Sequence, residues 1–418
     1  MIGGPTAVAT PETSERPPET KLTPGEWVRK NLFSTPLNSL VSILFGAGLL
    51  YLLVGVVGFF ITADYQIIRV NLANFVVGRF PRDQLWRPVF ATGILSVAVG
   101  LTAGGLTIRA EALARETGST FRRSTPGDWM RRFWPLLLMI AVMLAFTTTV
   151  TPTLVSLGVI GSGVVGNYLG RLLPAGARRW GWSIPLLGLA VAYLALSGFG
   201  GLDWNQWSGL HLNLFLTVAG IVFAFPLGLA LALGRRSTLP TVRAISVTYI
   251  EFIRGVPLIT LLFMAIFALG FLLPEELRPG NVTRALIAIT MFEAAYIAEI
   301  VRGGLQGVPS GQVEAAQAVG LTPWKTMRLV VLPQALRHTI PAMVGQFISL
   351  FKDTTLVTIV GLTDLLRVSN QANAQPDFLG QGLHFVTLAF VGLIFWVGSY
   401  TMSREARRIE RRLGVGER

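Results

Sequence analysis

A chain of 418 residues with 52% hydrophobic residues, only 14% charged residues and a mean hydropathy of +0.58 falls outside the range of soluble domains, where about a quarter of residues carry charge. A net charge of +13 raises nucleic-acid binding as a function, but arginine in a membrane chain gathers in cytoplasmic loops, which accounts for the excess. With no cysteine, disulfides and thiolate metal sites are excluded. Apolar runs of about twenty residues occur throughout, without the period-two alternation of a β-barrel, so the class is an all-α polytopic helical membrane protein.

Residues 1–36 are rich in Pro, Thr and Glu and lack an apolar signal-peptide core. They read as a disordered tail that stays in the cytosol. Residues 37–209 then supply a first group of apolar runs. The first span is expected over Leu37–Thr62, behind Arg29 and Lys30, and the second over Pro88–Ile108. Arg109, Arg115, Arg122, Arg123, Arg131 and Arg132 follow it and place that loop inside. The opposite loop carries Arg69, Arg79, Arg82 and Arg87, against the usual charge bias. The run Trp134–Leu173 is broken at Pro152 and is flanked by arginines at both ends. A hairpin of two spans, 134–150 and 154–172, puts both ends on one side, whereas one long span does not.

Trp182–Gly200 leads to an interfacial loop with Trp204 and Trp207. Further spans are expected over 212–233, 248–273, 285–300, 340–361 and 382–402, ending at Arg404, Arg407, Arg408, Arg411 and Arg412. The total is about eight to ten transmembrane helices, of which ten fits the charges best, with both termini cytosolic. The basic stretch 405–418 forms a second cytosolic tail.

One stretch between these runs, Gln312–Pro333, is too polar and too punctuated to enter a bilayer. Ser310 can cap a short helix from Gly311, and Gly320 can end it in a left-handed turn. Thr322 and Pro323 then read as a second N-cap with proline at the first helical position. Two helices of about nine residues result, each too short to span hydrocarbon. Ala315, Ala316 and Ala318 leave room for another surface to approach.

Charges within apolar runs cost a few kcal/mol each on insertion scales and are candidates for function. Lys352 and Asp353 interrupt the run 340–361, with Thr354 and Thr355 beside them. The pair either anchors a helix bend or a subunit contact, or faces a substrate path, where a zwitterionic solute needs both a cation and an anion. Glu293, Tyr296 and Glu299 follow at steps of three on one helix face. Glu293 is the better path candidate of the two carboxylates. Glu299 with Arg302, and Glu251 with Arg254, have the spacing of structural ion pairs. His211, His338 and His384 are scattered and offer no metal spacing. No phosphate-binding loop, nucleophile elbow or zinc-protease helix is present, so the chain is not itself an ATPase or a recognisable hydrolase.

Glu314-Ala315-Ala316, Gly320 and Leu332-Pro333 together resemble the EAA loop of permease subunits in binding-protein-dependent ABC importers. The strings Tyr249–Leu258, Ala295–Pro309 and Lys352–Leu356 resemble the polar amino-acid branch of that family, the histidine/glutamine permeases. The first two hundred residues show a looser likeness to the longer permeases of the general L-amino-acid type. The resemblance implies a five-helix type I importer core over residues 210–404, with coupling helices over 311–333 that dock on a separate ATPase dimer holding ATP and Mg. It also implies a solute-binding protein, a second related permease forming a heterodimer, and placement in the bacterial inner membrane. On this reading Glu314 anchors the ATPase contact, Ala315 and Ala316 form its close-approach surface, and Gly320 makes the turn. No cofactor is expected in the chain itself. Two rivals remain: a secondary transporter or channel that works without an ATPase, and an ABC permease for another small polar solute.

Overall fold

The computed structural model describes residues 23–413 apart from 122, 124, 148, 175, 177–180, 182 and 199. Every regular element among them is a helix, and the chain forms two compact units, Met1–Ala63 and Asp64–Arg418. Of the expected tails, residues 1–22 and 414–418 lie outside the described residues.

In the first unit, α1 (Pro24–Leu32) begins at a capping box in which Thr23 and Glu26 each bond the other's backbone N–H. Those hydrogen bonds hold the exposed Glu26 carboxyl below the usual carboxylate range. The expected disordered tail is therefore interrupted by a capped helix. α2 (Pro36–Thr62) is apolar on all faces, and at 1.5 Å per residue its 27 residues reach about 40 Å, enough to cross a bilayer core of about 30 Å.

The second unit opens with α3 (Gln66–Val77), a short helix that buries Ile67, Ile68, Asn71 and Phe75. α4 (Trp86–Thr117), α5 (Pro126–Ala145), α6 (Thr151–Leu172) and α7 (Ser183–Ser197) follow. α4 and α6 meet backbone to backbone. A Cβ added at Gly100 or Gly104 would collide with the main chain of α6, and one at Gly166 or Gly170 with the main chain of α4. Both glycine pairs are four residues apart, so each presents a smooth stripe that lets two helices approach where no hydrophobic effect drives them together.

Of the arginines expected in the loop between the first two spans, Arg87 falls in the first turn of α4, is buried and donates to the carbonyls of Ala195 (2.9 Å) and Gly198 (2.8 Å), capping the end of α7. Arg82 donates to Asn74.

Residues from Gly209 onward build α8 (Gly209–Arg235), α9 (Pro240–Gly255), α10 (Leu258–Leu272) and α11 (Asn281–Gln306). The path continues through α12 (Ser310–Ala318) and α13 (Pro323–Thr326) into α14 (Leu332–Asp353), then α15 (Leu365–Asn373) and α16 (His384–Leu413). α8 lies against α11, with Gly228 over the Ala294 carbonyl and Ile297, and Gly220 over Ile289 and Leu350 of α14. Leu212, Leu216, Ile289 and Leu350 are among the fully buried side chains of this packing.

The expectation of about ten transmembrane helices is not upheld. Among the described residues five helices are long and apolar enough to cross a membrane: α2, α4, α6, α8 and α16. A sixth is added only if α9 and α10, which meet at 103°, are taken as one span. The hydropathy of a run does not make it one straight helix. The run expected over 248–273 breaks at Val256 and Pro257, where the backbone is extended. α7 has only 15 residues. α5 carries Asp128, Arg131 and Arg132 near its start, while α11 and α14 carry their own charges. What stands is an all-α polytopic fold whose C-terminal half contains the sharply bent pair α9 and α10.

Candidate functional site

Between α11 and α14 the chain makes a two-helix foot. Its first helix, α12, starts at Ser310 behind Pro309, one residue earlier than expected and without a side-chain cap from Ser310. Gly320 adopts φ +82°, which only glycine takes without strain. The turn closes as Gly320 N–H donates to Gln317 O (2.9 Å) and Leu321 N–H to Ala316 O (3.1 Å). The Thr322 hydroxyl accepts from Lys325 N–H (3.4 Å), with Pro323 at the first helical position.

The second helix is not a separate nine-residue piece. α13 runs through a π-helical segment, Met327–Val331, directly into α14. Pro333 cannot donate to the carbonyl four residues before it, and the widened turn just upstream accommodates that missing bond. The Gln334 amide donates to Gln312 (3.2 Å) and ties the two arms together.

Glu314, Ala315 and Gly320 are exposed, Ala316 is buried, Leu332 is half-buried and Pro333 is exposed. Around them stand three large apolar side chains that sequence reasoning did not single out: Val319, Trp324 and Leu329, exposed by 77%, 66% and 61%. An apolar patch of this kind on a polar foot marks a contact surface.

The path candidates separate into different environments. Glu293 is buried and accepts from the Gln346 amide at 3.2 Å, while its second oxygen is buried without a partner. An unmatched carboxylate oxygen between two core helices is a place for a donor to be received. Tyr296 is half-buried, next to Phe292 and under the Arg254 guanidinium. Asp353 is half-buried and accepts from Ser349 (3.4 Å), while Lys352 is exposed, and no ion pair joins the two residues. Thr354 is buried and donates to the Phe351 carbonyl (2.7 Å), and Thr355 donates to the Lys352 carbonyl (2.8 Å). Thr354 thus faces the protein interior.

The ion pairs also rearrange. Glu251 pairs with Arg235 (2.8 Å), and Arg254 lies 3.6 Å from Glu299, so the expected Glu251–Arg254 pair is replaced by contacts between helices. Glu299 accepts from Arg302 Nε at 2.9 Å and lies 3.6 Å from Arg235. One carboxylate therefore gathers arginines from α8, α9 and α11.

At the far end of α8 a polar knot went unseen in the sequence. The Asn213 amide donates to Thr354 (3.0 Å) and Asp364 (3.3 Å) and accepts from the Leu365 N–H (2.9 Å). Beside it Gly209 N–H donates to Thr363 O (2.8 Å), and Arg79 N–H donates to Ser208 (2.7 Å). A cleft of about 410 Å³ opens there between α3 and α15, lined by Asn71, Asn74, Arg79, Arg82, Gln371 and Gln375. It has no carboxylate in its wall.

Comparison with known proteins adds the whole-chain context. The family described as binding-protein-dependent transport system inner membrane component matches residues 224–415. An inner membrane amino-acid ABC transporter permease protein of Escherichia coli K12, YhdY, is 34% identical over 415 residues, covering 93% of both chains. The glutamate/glutamine/aspartate/asparagine transport system permease protein BztC of Rhodobacter capsulatus is 35% identical over 421 residues, again covering 93% of each. A probable glutamine ABC transporter permease protein of Bacillus subtilis, GlnP, is 35% identical over 206 residues, which is 49% of this chain and 91% of that one.

Proposed function

Since this chain belongs to the family of inner-membrane permease subunits of binding-protein-dependent ABC amino-acid transporters, we propose that it forms one side of an ATP-driven import path for polar L-amino acids. The observation that carries this reading is the one-third identity maintained along nearly the full length of two amino-acid permeases. The chain is a conduit, and hydrolysis belongs to a separate subunit. Residues 210–404 act as the transport core and 37–209 as an addition to it, in keeping with the shorter permease that matches only half of the chain.

On this reading the foot meets the ATPase. Glu314 supplies charge at the contact, Ala315 allows close approach, Ala316 packs on the inner side of the foot, and Val319 and Trp324 supply the apolar area. Leu332 and Pro333 carry the motion into α14 through the π-helical segment. Glu293 and Gln346, with Asp353, Lys352 and Thr355 further along α14, offer donors and acceptors to a zwitterion that has left water. A related second permease completes the path in a heterodimer. The foot and the C-terminal end of α16 lie in the cytosol on this reading, supported by the arginines of α16 and at the end of α8. A solute-binding protein then docks at the opposite face, where α3 and α15 meet.

The test is uptake by vesicles holding the permease with its partner permease and ATPase, offered glutamate, glutamine, aspartate and asparagine with the binding protein. ATP-dependent uptake that vanadate stops is expected. Uptake that continues under vanadate would favour a secondary transporter. ATP-dependent uptake of another polar solute alone would move the substrate assignment and leave the rest standing.

A further inference from the structure

A second cavity, of about 660 Å³, lies between α5 and the C-terminal end of α16, lined by Trp134, Tyr400, Arg404, Arg407, Glu410 and Arg411. Neither the foot nor the residues proposed to line the transport path belong to it. Its order along the helix is informative. Trp396, Tyr400, Arg404, Arg407 and Arg411 follow at steps of three or four, so they run as one stripe down one face of α16. Trp396 stacks on Tyr400 at 5.2 Å and Trp134 meets Tyr400 edge-on at 6.1 Å. Aromatic rings of this kind settle at the bilayer interface, and the guanidinium groups begin one turn further out. That is the sequence of depths in a phospholipid, from glycerol to phosphate.

The charges on the two faces of α16 differ. Away from the cavity, Glu405 is matched by Arg132 and by Arg408. Inside the cavity three arginines face the single carboxylate of Glu410. Arg404 Nη2 donates to the Arg131 carbonyl (2.9 Å) and Arg411 Nε to the Arg407 carbonyl (3.3 Å), which leaves most of their N–H groups unused. The Arg407 guanidinium has no partner among the described residues. Guanidinium forks are matched to phosphate oxygens, and basic pockets between membrane helices take anionic headgroups.

We propose that this cavity binds the phosphodiester headgroup of an anionic phospholipid, with the glycerol region against Trp134 and Tyr400. The lipid fills the seam between α5 and α16. The site is independent of what the chain transports and requires only that α16 end at a membrane surface.

The test uses the purified intact transporter, stripped of lipid in detergent and supplied with phosphatidylglycerol, phosphatidylcholine or inorganic phosphate, with binding read by native mass spectrometry. The wild type is expected to retain phosphatidylglycerol in preference to phosphatidylcholine. Arg407→Gln should weaken phosphatidylglycerol binding about fivefold, the worth of one arginine near an anionic surface, with no effect on phosphatidylcholine. The triple change Arg404→Gln, Arg407→Gln, Arg411→Gln should erase the preference, and the corresponding change to lysine should keep most of it. Equal retention of the two lipids by the wild type overturns the proposal, as does an unchanged preference in the triple variant. Binding of inorganic phosphate as tight as that of phosphatidylglycerol assigns the pocket to soluble phosphate and overturns it too. Should the triple variant fail to assemble, the wild-type lipid comparison and the single Arg407→Gln variant decide the matter.

Discussion

The two ends of α8 are held by different chemistry. At its start Asn213 sits in a knot with Thr354, Asp364 and the backbone of Leu365, all buried. At its finish Arg235 joins Glu251, Glu299, Arg254 and Arg302 in a network whose side chains retain between 23% and 54% of their exposure. A buried network resists opening because each broken bond leaves a bare polar group. A wet ion-pair network can exchange partners at little cost, since water and the next arginine replace what is lost. The helix is thus clamped at one end and able to pivot at the other, and the pivoting end is the one nearer the foot in the chain.

The largest effect should come from the clamp. Asn213→Ala strips the Leu365 N–H, Thr354 and Asp364 of a shared partner in a fully buried site, a loss of about 2–3 kcal/mol. Thermal unfolding of the purified transporter should show it as a clear fall in midpoint. A variant as stable as the wild type would mean that the knot carries no load, and the contrast between the two ends would dissolve.

Next is the foot. Glu314→Lys reverses charge at an exposed position of the foot, which also exposes Val319 and Trp324. ATP-driven uptake should fall more than tenfold, about 1.4 kcal/mol or more in coupling, with unchanged protein in the membrane. Uptake at the wild-type rate would separate the foot from the motor and remove the reason for a movable end.

Much of the foot was legible because its signals are local. Gly320 in a left-handed turn and Thr322-Pro323 at a helix start follow from backbone preferences within a few residues. The knot was not legible, since Asn213 and Asp364 are 151 residues apart and each alone is an ordinary polar residue. The i,i+3 spacing suggested a Glu251–Arg254 pair, yet long side chains reach across to neighbouring helices, and both residues found partners there. The number of spans was overestimated because hydropathy registers apolar length and misses the 103° bend after Gly255.

The ion-pair hub gives a smaller, sharper test. Glu299→Gln removes the carboxylate that gathers three arginines, and stability should drop by no more than about 1 kcal/mol because the groups remain partly hydrated. The loss should shrink further at high salt. A fall in midpoint as large as that of Asn213→Ala, and insensitive to salt, would show the two ends to be equally rigid.

The smallest expected change lies in the cleft beside the clamp. If this cleft lies on the outer face, as proposed, arginine is disfavoured there and each one needs a reason. Arg87 has one in the carbonyls of α7, and Arg82 has one in Asn74. The Arg79 side chain is exposed on the wall of a carboxylate-free cleft, with only its backbone engaged. If that rigid face receives the binding protein, Arg79 acts as a rim charge, which governs encounter more than chemistry. Arg79→Glu should then raise the half-saturating concentration of binding protein about threefold, leaving uptake at saturation as it was. A lower maximal rate with an unchanged half-saturating concentration would mean that Arg79 acts on the moving parts, and that the end of α8 assigned as fixed takes part in the cycle.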